Sequence, residues 1–158
     1  MKNKLEVSFN SPQCGWMSIG FDDGASEFHT TTAHTPHSRA LSEILKGLSS
    51  LLAAQSERDE FNISWSRNPE SYKLFFSRAG EIVFFQVVEY PTFNHSESEG
   101  KIVFSSQANV KDFCQSFYET FAQLYEDRET DEFEFNWRQP FPFEEFENFE
   151  SKLKSIGN

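Results

Sequence analysis

The stretch YKLFFSRAGEIVFFQVVEY, residues 72–90, decides the fold because it holds two strand-like runs joined by a short turn. Both runs are rich in the aromatic and β-branched residues that strands favour, and RAG places a glycine where the chain must reverse. The second run, EIVFFQVVEY, is apolar on both faces, which is typical of a strand in the middle of a sheet. The stretch therefore predicts a hairpin whose second strand lies centrally.

Further strand signals lie on both sides of this hairpin. Upstream, LEVSF and WMSIGF are short strand-like runs, and DDG at residues 22–24 marks a turn before a third run, SEFHTTTA. A period of two in FNISWS places Phe61, Ile63 and Trp65 on one face. Downstream, KIVFSS is also strand-like. The first three runs predict a meander.

Two segments change to helical spacing. A helix from about residue 36 to 54 is predicted with Thr35 as its N-cap and Pro36 at its first position. Gly47 within it lowers helix stability by about 1 kcal/mol relative to Ala and permits close packing. Residues 110–125 form the clearest amphipathic pattern in the chain. The two apolar stripes are Leu41, Ile44, Leu45, Leu48, Leu51 and Leu52, and then Val110, Phe113, Cys114, Phe117, Phe121, Leu124 and Tyr125.

The order of these signals indicates the fold class. Three strands, a helix and three or four strands precede the long helix, and Phe146, Phe149 and Leu153 predict a short closing helix. Strands that follow one another through tight turns are antiparallel. We therefore predict an α+β protein in the order β-β-β-α-β-β-β-α-α. A mainly antiparallel sheet of about six strands would carry two or three helices on one face, in a single domain over residues 1–158.

Composition limits the functional classes. Nineteen Phe argue against a disordered acidic tail, and two cysteines a hundred positions apart suggest no disulfide framework. The start, MKNKLEVSF, does not resemble a signal peptide, and no run reaches the roughly 20 apolar residues of a membrane helix. We expect a cytoplasmic protein without a cofactor. The net charge of −11 disfavours nucleic-acid and membrane partners, because it repels phosphates.

Histidines and a cysteine supply one candidate for chemistry. HTTTAHTPH contains His29, His34 and His37, and three imidazoles with an open position would resemble a catalytic zinc centre. Cys14 is a candidate nucleophile with one of these histidines as its base. The simpler interpretation is a polar strand end beside a helix start, because no carboxylate or cysteine at ligand spacing accompanies the histidines. Cys114, on the helix stripe, is expected to be a buried apolar side chain. No metal site is therefore predicted.

The acidic C-terminal third supplies the other candidate. Residues 119–150 hold eleven carboxylates against two arginines, a net −9 of the chain's −11. Carboxylates at the start of the closing helix suit its dipole, whereas those at or after the end of the long helix do not. Aromatic residues alternate with these acids, as in interfaces that have aromatic anchors and charged rims. The predicted partner-binding residues are Glu126, Asp127, Glu129, Asp131, Glu132, Phe133, Glu134 and Phe135.

Four stretches carry a resemblance to a family. GWMSIGF, HSRALSEILKGL, ISWSRNPESYKLFFSRAG and NWRQPFPFEEFENFESKL are similar to elements of a group of small, uncharacterised bacterial proteins. These have an early Trp-containing strand and a C-terminal W-x-x-PFP element. The chain departs from their acidic-Pro-Gly turn at residues 67–70, and Phe75 stands where Trp is expected. The resemblance implies one domain and this order of elements, but no activity.

Three functional hypotheses follow. The first is a non-enzymatic acidic module that binds a basic protein, as a bacterial immunity protein does when it neutralises a basic toxin such as a nuclease. The second is a metal- or thiol-dependent enzyme that uses His29, His34, His37 and Cys14. The third is a housekeeping protein whose acidity gives only solubility. The aromatic and acidic C-terminal third favours the first, with no catalytic residues.

Overall fold

The structure, a computed structural model, describes residues 5–9, 16–33, 40–53, 58–66, 71–91, 100–127 and 141–156. None of the helices in these ranges has the length and apolarity to span a bilayer. The elements are β1 (Glu6–Phe9), β2 (Trp16–Asp22), β3 (Glu27–Ala33), α1 (Ala40–Ala53), β4 (Arg58–Ser66), β5 (Ser71–Ala79), β6 (Ile82–Tyr90), β7 (Lys101–Asn109), α2 (Val110–Asp127) and α3 (Phe143–Ile156).

The described strands form two antiparallel sheets, ordered β1-β2-β3 and β4-β5-β6-β7. The predicted α+β class and the order of elements are confirmed. The predicted arrangement as one sheet of about six strands is wrong, because the strands divide into sheets of three and four. After β3 the chain enters α1, and β4 then pairs with β5 instead of joining the first meander.

The three-stranded sheet packs on the inner face of the four-stranded sheet. The ring centroid of Phe21 in β2 lies 4.9 Å from that of Phe85 in β6 and 5.9 Å from that of Phe104 in β7. Phe28 in β3 lies 5.5 Å from Tyr72 in β5. Burying an aromatic side chain of this size contributes about 1.5–3 kcal/mol. Because the two sheets pack face to face, each covers apolar side chains of the other. In one extended sheet, only the helices could cover them.

The predicted hairpin is confirmed. β5 and β6 pair from Ser71 opposite Tyr90 to Ala79 opposite Ile82, and Gly80 turns the chain with a φ of 63°. A positive φ is unfavourable for residues with a Cβ, which explains the glycine. β6 lies between β5 and β7, as predicted.

Arg78 connects this hairpin to α1. Its Nε donates a hydrogen bond to the carbonyl of Gly80 at 2.6 Å, and its guanidinium also donates to the carbonyl of Leu51 in the last turn of α1. The last carbonyls of a helix lack partners within the helix, so an arginine at this place caps α1. Arg78 Nη2 also forms an ion pair with Glu81 Oε1 at 3.3 Å.

The predicted DDG turn between β2 and β3 is also confirmed. The Asp23 carboxylate accepts hydrogen bonds from the N–H groups of Ala25 and Ser26, both at 2.9 Å, and Gly24 has a φ of 88°. Burial raises the pKa of Asp23, but these two bonds and one from Ser106 outweigh it and lower the pKa. Because Ser106 lies in β7, the turn is also bound to the second sheet.

The helices complete the core. Phe117 of α2 lies 6.2 Å from Phe85 and 6.0 Å from Phe76, on the inner face of the four-stranded sheet. α1 begins at Ala40, and its predicted cap residues Thr35 and Pro36 lie outside the described residues. The closing helix is confirmed as α3, which packs on α1 and α2. Its three predicted core residues are buried, namely Phe146, Phe149 and Leu153.

Gly47 permits the close packing predicted for it. A Cβ at this position would overlap the ring of Phe61 in β4. That ring stacks in parallel on Phe76, with centroids 4.3 Å apart and an interplanar angle of 5°. Because Gly47 has no side chain, the backbone of α1 lies directly against the Phe61 ring of β4.

Two hydroxyl groups of α2 bind the backbone of β1 and of Leu5, the residue before it. The Phe9 N–H donates to Thr120 Oγ1 at 2.7 Å, and the Thr120 hydroxyl lies 3.4 Å from the Phe9 carbonyl. Ser116 Oγ donates to the Leu5 carbonyl at 2.6 Å. An edge strand presents unpaired N–H and C=O groups, and α2 satisfies these three with side chains. The three-stranded sheet is thereby attached to the long helix.

Candidate binding surface

The end of α2 carries the first of the predicted partner-binding residues. Glu126 is exposed, and Asp127 is the last residue of the helix. The last turn contains no basic residue to offset them. Negative charge at a helix C-terminus is unfavourable by about 0.3–1 kcal/mol, so the helix gains nothing from these acids. The remaining predicted residues lie outside the described part of the chain: Glu129, Asp131, Glu132, Phe133, Glu134 and Phe135.

An aromatic stack lies beside Glu126, between α2 and α3. Phe146 of α3 stacks on Tyr118 at 5.8 Å and on Tyr125 at 4.9 Å, with interplanar angles of 8° and 23°. Phe143 meets Tyr125 edge to face at 6.1 Å and is 38% exposed. Phe146 is buried, whereas both tyrosines are partly exposed. The outer edge of the stack is therefore accessible to a partner.

Carboxylates border this stack. The Tyr118 hydroxyl donates to Glu150 Oε2 at 2.6 Å, and Lys154 Nζ lies 3.7 Å from the same oxygen. The hydrogen bond to Glu150, followed by burial and by the negative charges of Glu150 and Glu126, raises the pKa of Tyr118 to about 12. Tyr118 therefore stays a neutral donor in a negative field. We call Tyr118, Tyr125, Phe143, Glu126 and Glu150 the acidic aromatic surface.

The acids of α3 have a structural explanation. Glu144 and Glu145 lie in its first turn, and Lys154 lies in its last. Each charge is opposite to the helix dipole at its end, which stabilises the helix. The predicted structural role of the acids at the start of this helix is thus consistent with their position, in contrast to the acids that end α2.

The acidic aromatic surface has a defined chemical preference. Aromatic faces attract guanidinium and ammonium groups within about 6 Å. Carboxylates form charge-assisted and often bidentate hydrogen bonds with arginine. Rings beside carboxylates can therefore accept guanidinium or ammonium groups.

Sequence reasoning missed most of this surface. It placed Tyr125 in the core stripe, and Tyr125 does pack partly buried against the core, but it gave no role to Tyr118 and did not predict the exposed edge of either ring. The signal was present, because Tyr118 and Tyr125 are seven residues apart, as are Glu119 and Glu126, and this spacing places each pair on one side of a helix. Tyrosine has an apolar ring and a polar tip, which suits a partly exposed position.

The histidine candidate is only partly within the described structure. His29 in β3 is 65% exposed on its side chain, and its Nε2 lies 3.8 Å from Glu27 Oε2. A Cβ on Gly20 would lie 2.7 Å from His29 Nδ1 and 2.8 Å from Ser8 Oγ, so the imidazole lies across the glycine. His34, His37 and Cys14 are outside the described residues. Among the residues described, no three His, Cys, Asp or Glu side chains are grouped to hold a metal ion.

Cys114 is buried, as predicted. Burial, opposed by the nearby positive charge of Arg78, raises the pKa of its thiol to about 12. Nucleophilic cysteines act as thiolates, so this side chain stays protonated and serves as an apolar core residue.

Comparison of the chain with protein-family models, with curated proteins and with solved structures gives no match.

Proposed function

We propose that this chain is a non-enzymatic module that binds a basic protein through its acidic C-terminal third. The main support is the charge at the end of α2, where Glu126 and Asp127 face an unfavourable helix dipole and no basic residue of that turn offsets them. Acids that do not stabilise their own helix are best explained by a partner that supplies the positive charge.

The acidic aromatic surface supports the same proposal. Phe143 and the edges of two tyrosines give a partner apolar contact, and Glu126 is exposed at their border. Residues of this kind dominate the binding energy of protein interfaces when they become fully desolvated. The carboxylates orient the partner and raise the association rate, because opposite charges steer two proteins together before contact.

The specific role that we propose is that of a bacterial immunity protein in the cytoplasm. Such a protein neutralises a toxin by direct binding, and a basic nuclease toxin is a suitable target. A nuclease site is built to receive phosphates, so carboxylates can occupy it in their place. This specific role is supported by the negative charge of the chain and by the acidic aromatic surface.

Charge reversal tests the proposal. The wild-type chain is used to capture proteins from a lysate of its native organism at low salt, and the variant carries lysine at Glu129, Asp131, Glu132 and Glu134. We expect the variant to lose the captured basic protein. Each reversed charge at an interface replaces attraction by repulsion, so the combined loss should exceed a hundredfold in affinity.

A matched control separates this surface from overall charge. Reversal of the same number of exposed acids elsewhere gives the same net charge, at Glu6, Glu27, Glu43 and Glu60. We expect this control to retain most of the binding. Equal losses in both variants would show that only total charge matters, and unchanged binding in the first variant would refute the proposed surface.

A further inference from the structure

We draw no further inference here: the strongest candidate, the apolar patch around Phe84 and Ile102 on the outer face of the four-stranded sheet, carries none because nothing in the described part of the structure shows what covers it.

Discussion

Thr120→Val should destabilise the protein although it preserves the shape of the side chain. The Thr120 hydroxyl is buried and accepts the hydrogen bond of the Phe9 N–H at 2.7 Å. Valine fills the same volume but offers no acceptor, so the buried N–H loses its partner. An unsatisfied buried donor costs about 1–3 kcal/mol. For a chain of this size, each 1 kcal/mol lowers the melting temperature by about 2–4 °C.

Two measurements test this expectation. Urea unfolding should show the loss of stability, and amide hydrogen exchange should show faster exchange at Phe9 in Thr120→Val than in the wild type. Thr120→Ser retains the hydroxyl and serves as the control, with the exchange protection of Phe9 preserved. If Phe9 exchanges equally slowly in the valine variant, or if stability changes by less than about 0.5 kcal/mol, the Thr120 hydroxyl does not hold β1 on α2.

Three further predictions concern the core and the acidic aromatic surface. Gly47→Ala should destabilise by about 1–2 kcal/mol despite better helix propensity, because the new Cβ overlaps the Phe61 ring. In a Phe61→Leu background, Gly47→Ala should instead raise the free energy of unfolding measured in urea. If it still lowered that free energy, the overlap would be disproved. Glu150→Gln should lower the pKa of Tyr118 from about 12 towards its ordinary 10, because it removes the charged acceptor. Absorbance titration measures this pKa, and Tyr118→Phe assigns the transition. A Tyr118 midpoint that is the same in Glu150→Gln as in the wild type would contradict the prediction. Because the folded pKa is raised, the stability due to Tyr118 is present below pH 10 and is lost as the pH rises towards 12, and this fall should be shallower in Glu150→Gln. In a Cys14→Ala variant, Cys114 should react with a thiol reagent only as fast as the protein opens; rapid labelling of the native protein would contradict its burial.

Local patterns account for the parts of the fold that sequence predicts. The hairpin of β5 and β6 follows from two strand-like runs around Gly80, and α2 follows from apolar residues three or four positions apart. Both signals act within about twenty residues. The division into two sheets depends on Phe21 facing Phe85, which are far apart in sequence. Periodicity identifies the apolar face of a strand but not the layer that covers it.

The exposure of Phe84 in β6 also depends on which layer covers each face of the sheet. Its apolar residues on both faces correctly indicated a central strand, and yet Phe84, on the face opposite Phe85, is 44% exposed. A central position protects the hydrogen bonds of a strand on both sides, but it does not require a layer above each face. Phe84 is exposed because the described helices and the three-stranded sheet all pack on the other side.

The candidate site was predictable in its charge but not in its aromatic part. Counting acids drew attention to the C-terminal third, and the position of Glu126 and Asp127 at the end of α2 means that the helix dipole does not favour their charge. The stack of Tyr118 and Tyr125 on Phe146 joins two helices. Such a contact between separate elements follows from tertiary packing, which a pattern within one helix does not report.

Affinity capture at low salt, followed by graded salt elution and mass spectrometry, tests the proposed binding function most directly. The chain is immobilised and exposed to a lysate of its native organism. We expect one basic protein to bind and to be released as salt screens the carboxylates. The absence of a basic protein, or a partner whose retention does not depend on salt, would contradict the proposal that the acidic C-terminal third is a binding surface.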